Sequence, residues 1–131
     1  ESIFTFSIHG ARNFPFEKEQ SSLDIELADG TEDEAYLAAL DTGLRETFER
    51  GQPEMVIYLA GADPYAGDRL GRLNLSMEGL AERDRRVLQA CRESGVPVAM
   101  AMAGGYAQPI EDTVEIHATT VLTAKSLFFG R

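Results

Sequence analysis

The stretch Met55-Val56-Ile57-Tyr58-Leu59-Ala60 decides the fold class. It is apolar without alternation, the pattern of a strand covered on both faces in a parallel sheet. A second stretch, Val96 to Ala103, has the same character and ends at Gly104-Gly105-Tyr106. Between them lies a long loop, Gly61 to Leu75, rich in Gly and Asp. A helix capped by Ser76 follows, carrying Leu80, Val87, Leu88 and Cys91 and closed by Gly95.

Upstream, residues 3–8 (Ile-Phe-Thr-Phe-Ser-Ile) read as a buried strand. His9 to Gln20 is broken by Gly10 and Pro15 into a long loop, and its Phe14 and Phe16 need cover. Leu23-Asp24-Ile25-Glu26-Leu27 alternates apolar and acidic, as an edge-type strand with one wet face does. Thr31-Glu32-Asp33-Glu34 has the spacing of a capping box, opening a helix to about Arg50 with Tyr36, Leu37, Leu40, Leu44 and Phe48 on one face. Gly51 ends it, and a last helix runs from about Ile110 to Phe128. Strands alternating with helices predict one α/β domain: three layers, α/β/α, about a mainly parallel sheet.

At 131 residues and 44% hydrophobic, the chain is sized for one globular unit. Its 22 acidic against 12 basic residues give a net charge of -10, which argues against nucleic acid, because phosphate binding needs a basic surface. The acidity reads as a solubilising surface. No apolar run reaches the roughly 20 residues that span a bilayer. The single cysteine, Cys91, reads as a buried small hydrophobe in a reducing compartment, the cytoplasm. The abrupt start at Glu1-Ser2 suggests a trimmed chain or a fragment.

Ligands of parallel α/β sheets bind beyond the carboxyl ends of the strands. Three segments fall there: Ser7-Ile8-His9-Gly10, Gly61-Ala62-Asp63-Pro64-Tyr65 and Gly104-Gly105-Tyr106. Asp63 suits a metal ligand or a base, or else a turn aspartate. Tyr106 suits a donor to an oxyanion, or an aromatic packed over a turn. Asp68 and Arg69 read as an ion pair bracing their loop, His9 as a structural hydrogen-bonder, and Glu82-Arg83-Asp84-Arg85-Arg86 as a solvated helix face. His117, in mid-helix, has no assigned role.

Six pieces, in order, resemble the histone deacetylase family of the arginase/deacetylase fold. They are Phe4-Thr5-Phe6-Ser7-Ile8-His9, Asp29 to Tyr36, Ala60-Gly61-Ala62-Asp63, Gly67-Asp68-Arg69-Leu70-Gly71, Leu75-Ser76 and Ala103-Gly104-Gly105-Tyr106. The likeness spans roughly residues 3 to 125 and is nearest to bacterial and class IV members. It implies a zinc-dependent deacetylase (an amide hydrolase) acting on acetyl-lysine or a small acetylated amine. Within it, Asp63 would be one of three zinc ligands and Tyr106 the donor to the substrate carbonyl and oxyanion. Ser7 and the Ile8 carbonyl would hold a structural potassium, Leu70 would line the substrate channel, and Gly104 and Gly105 would let Tyr106 approach the metal. The family's Asp-x-His and His-His elements lie upstream of residue 3. The resemblance therefore implies that residues 1–131 are the C-terminal portion of a single deacetylase domain. That portion would be inactive alone, and either complemented by the rest of the domain or self-associated through a bare sheet edge. A non-catalytic binding module that keeps the fold is the alternative. An arginase-like ureohydrolase is disfavoured, because that group lacks the Gly-Gly-Tyr element.

Overall fold

The computed structural model describes residues 2–130; Glu1, at the abrupt start noted above, and Arg131 lie outside them. The elements are β1 (Phe6–Gly10), β2 (Leu23–Leu27), α1 (Asp33–Glu46) with a π turn over Thr47–Gly51, β3 (Val56–Ala60), α2 (Met77–Glu93), β4 (Val98–Met102) and α3 (Ile110–Phe129). The expected order of strands and helices holds.

All pairing between strands is parallel. β1 lies beside β2 with Phe6 opposite Leu23, and β3 beside β4 with Val56 opposite Val98. The two pairs are separate two-stranded sheets among the described residues. Asp24 and Glu26 of β2 face water, as their alternation requires. The double coverage expected of β3 is not supplied by the described residues. Val56 and Tyr58 are half-buried, but Ile57 and Leu59 are 71% and 66% exposed, and Met102 at the end of β4 is 73% exposed. The helices cover one side of this pair. Its continuous apolar sequence is the mark of a second face left bare among the described residues.

Both ends of α2 follow local chemistry, and neither end of α1 does. Ser76 Oγ accepts from the Gly79 amide, so Ser76 caps α2 as its position predicts. Gly95, at φ +66°, turns the chain out of α2 in the left-handed region. The Thr31 capping box does not form. α1 begins at Asp33 after Glu32, and the Thr31 hydroxyl donates instead to the Ala28 carbonyl at 2.7 Å, closing a turn. Asp33 is drawn away to the start of α2, where it accepts from both the amide and the hydroxyl of Ser76. Nor does α1 stop at Gly51 as a regular helix; it widens into the π turn and leaves through Gln52 at φ 43°.

The core gathers Tyr36 and Leu40 of α1, Leu73 and Leu75 of the long loop, Leu80 and Val87 of α2, and Ile116 of α3. Cys91 is buried as expected, and burial pushes its thiol pKa up. Phe14 and Phe16 stay exposed, meeting each other edge to face with centroids 6.1 Å apart. No described helix is long and apolar enough to cross a membrane.

Candidate functional site

β3 and β4 are adjacent and parallel, so the loops leaving their carboxyl ends emerge side by side. They are stitched together through the backbone. The Ala62 amide donates to the Gly104 carbonyl at 2.6 Å, and the Arg69 amide to the Tyr106 carbonyl at 3.1 Å. This brings together Asp63, Gly104, Gly105, Tyr106 and Leu70, five of the residues singled out from sequence.

Asp63 is half-buried in the turn after β3. Burial raises its pKa; a backbone hydrogen bond opposes the rise, the neighbouring Asp68 carboxylate adds to it, and the Arg83 guanidinium moderates it. The two glycines of the facing loop differ in what they do. A Cβ on Gly104 would stand 3.4 Å from Asp63 Oδ1, so its bareness keeps space beside the carboxylate. A Cβ on Gly105 would press to 2.7 Å from Thr113 and 3.0 Å from Ala62, so that glycine serves packing against α3. Tyr106 is 53% exposed and Leu70 66% exposed, both at the open end of the strands.

Asp68 holds this loop pair together, though not through Arg69. Its Oδ1 accepts from the amides of Leu70 at 2.9 Å and Gly71 at 2.8 Å, and its Oδ2 accepts from the Tyr106 amide at 2.6 Å. The expected ion pair with Arg69 is replaced by three backbone amides, which converge on a buried carboxylate better than one flexible side chain does. Tyr65 adds a tie to α3 by donating to Asp112 at 2.8 Å.

The run at residues 82–86 is only partly a wet face. Glu82, Arg85 and Arg86 pair with one another at the surface, but Arg83 and Asp84 are buried. Arg83 Nε and Nη2 both donate to Asp84 Oδ1, at 3.0 and 2.9 Å, and Nη1 donates to the Gly61 carbonyl at 2.6 Å. Asp84 also accepts from Tyr58 at 2.6 Å and from Thr120. Burial opposes the charge on Arg83, but Tyr58, Asp84 and Tyr36 raise its pKa above the ordinary value. A signal for this pair was present in the sequence: Leu80, Arg83, Asp84, Val87, Leu88 and Cys91 follow one helical stripe.

Ser7 and Ile8 sit within β1 rather than past its end, because the strand continues to Gly10. Ser7 Oγ lies 2.8 Å from His9 Nδ1, and His9 Nε2, 3.9 Å from Glu26 Oε1, is buried without a hydrogen-bond partner among the described residues. Among the described residues no three His, Cys, Asp or Glu side chains cluster as a metal site.

The profile of the histone deacetylase domain matches residues 1–122. An uncharacterized protein of Picosynechococcus sp. is 40% identical over 127 residues, which are 97% of this chain and 42% of that protein. Histone deacetylase 2 of Arabidopsis thaliana is 34% identical over 120 residues, 86% of this chain and 31% of that protein. The crystal structure of an HDAC homolog from Aquifex aeolicus superposes with TM-score 0.70 at 25% identity, over 95% of this chain and 39% of its own. The chain thus spans less than half the length of these relatives, and it shares their α/β fold.

Proposed function

The chain belongs to the histone deacetylase family, and from that premise we propose that it builds one side of a zinc-dependent deacetylase site for acetyl-lysine or a small acetylated amine. The observation that supports this is the joining of the Asp63 turn and the Tyr106 turn across adjacent strand ends by the Ala62–Gly104 hydrogen bond. Asp63 supplies one carboxylate ligand; the remaining donors come from outside these residues. Tyr106 donates its phenolic hydrogen to the acyl oxygen as negative charge develops there. Leu70 forms a wall of the channel for the apolar stem of the acylated amine. Potassium at Ser7 and the Ile8 carbonyl is compatible with the Ser7–His9 contact, since the hydroxyl can donate to Nδ1 and keep its lone pairs for a cation. The substrate is a small amide in solution or on a peptide; neither nucleic acid nor membrane is part of the reading.

Two measurements test it. Elemental analysis of the 131-residue chain, after dialysis against trace zinc, is expected to give well under one zinc per chain. A full equivalent that disappears in Asp63→Ala would overturn the incomplete-site reading. The second uses a chimera joining this chain to the part of the Picosynechococcus relative outside the matched 127 residues. Zinc-dependent hydrolysis of an acetyl-lysine amide is expected. A folded, zinc-loaded chimera without it would leave the non-catalytic module in its place.

A further inference from the structure

We propose that Arg83 is a positioning residue for both turns of the site, acting through a single peptide unit. The inference rests on the deacetylase reading above for its functional meaning. The peptide joining Gly61 to Ala62 is held at both polar ends: its carbonyl accepts from Arg83 Nη1 at 2.6 Å, and its amide donates to the Gly104 carbonyl at 2.6 Å. Asp63 is the next residue on one side of this clamp. On the other side Gly104 is two residues from Tyr106. A tilt of this one peptide moves both.

Arg83 is suited to fix that tilt. It is 4% exposed, and its guanidinium is locked from behind by the two bonds to Asp84 Oδ1. Asp84 is fixed in turn by Tyr58 of β3 and Thr120 of α3. The Arg83 guanidinium also lies over the Tyr58 ring, 5.9 Å from its centroid. The clamp therefore refers the loop geometry to a strand and two helices. A planar fork holds Asp84 with Nε and Nη2 while Nη1 reaches Gly61; an ammonium has three donors but only one nitrogen, so it does not reproduce that spread. A buried charge pair adds little net stability, because its desolvation opposes its attraction. A role in geometry accounts for keeping one beside these turns.

Hydrogen exchange of the 131-residue chain, read on peptides covering 58–70, 99–108 and β2, tests the assignment. Arg83→Met is expected to speed exchange of the Ala62 amide about tenfold to a hundredfold, the loss of one charge-assisted bond, with β2 unchanged. The double variant Arg83→Met with Asp84→Asn removes both charges, keeps a side-chain amide for Tyr58 and Thr120, and should show the same local rise. Arg83→Lys should fall between. Exchange rising equally in β2 in both variants would mean a merely structural pair and overturn the proposal, as would no rise at Ala62. In the chimera, Arg83→Lys is expected to lower kcat with KM little changed. If instead Asp63→Ala leaves the chimera fully active, the deacetylase reading of the site fails while the exchange result still decides the clamp.

Discussion

Asp68 and Asp63 lie five residues apart in one loop and are bonded differently. Asp68 accepts three backbone amides. Asp68→Asn keeps one oxygen for Leu70 and Gly71 but can turn an NH₂ group toward the Tyr106 amide, setting donor against donor. A loss of about 1–3 kcal/mol in urea unfolding is expected, with faster exchange over residues 102–108; an unchanged midpoint would refute the bracing role. Asp63 is instead held half-buried with its pKa raised by burial. The folded state then binds that proton more tightly than the unfolded chain. Its contribution to stability is complete below the ordinary value of 3.8 and is lost as pH rises through the raised folded value. Asp63→Asn should therefore stabilise the metal-free chain at neutral pH, with the gain vanishing as pH falls below that ordinary value; a loss of stability at pH 7 would contradict it. The placement of Asp63 and Tyr106 at neighbouring strand ends was legible because glycines follow apolar strands there. Arg83 was not, because five charged residues in a row resemble a solvated face and only the helical period betrays the two that point inward.

At the scale of elements, cap signals with similar sequence grammar had different outcomes. Ser76 and Thr31 both precede acidic helix starts, yet only Ser76 caps. The difference is tertiary: Asp33, in the first turn of α1, bonds Ser76 across 43 residues. That contact joins the starts of α1 and α2 and leaves Thr31 to close its own turn. Ser76→Ala should cost about 1 kcal/mol or somewhat more, lowering Tm by about 3–5 °C in a domain of this size. Thr31→Ala should cost less than about 0.5 kcal/mol, as surface changes away from such features do. Calorimetry on both decides the matter, and equal losses would reinstate the capping box. The strands were legible as strands and as parallel; their coverage was not, because apolar sequence records which faces are to be buried and not which segment buries them.

For the whole molecule, that unburied surface is the controlling fact. Ile57 and Leu59 lie on the bare side of β3 with Met102 at the end of β4, and Ile110, Val114, Val121, Leu122 and Phe129 project from α3. Large apolar side chains left exposed along one side of a strand mark a surface that another body covers. A net charge of -10 opposes association of identical copies at low salt, while screening at physiological ionic strength shortens that repulsion to about 8 Å. Apolar contact is short-ranged and survives the screening. The isolated chain is therefore expected to self-associate at low micromolar concentration and 0.15 M salt, and to dissociate in part as salt is lowered. Replacing the two outward residues of β3, Ile57→Glu with Leu59→Glu, should shift it toward monomer without loss of helix, since neither side chain packs into the core. Sedimentation velocity with circular dichroism on parent and variant reads both quantities. A monomeric parent would mean that the bare face is tolerated in water, and the case for a covering segment would then rest on sequence likeness alone. An associated variant would move the contact to α3, whose outward stripe would be the next to change.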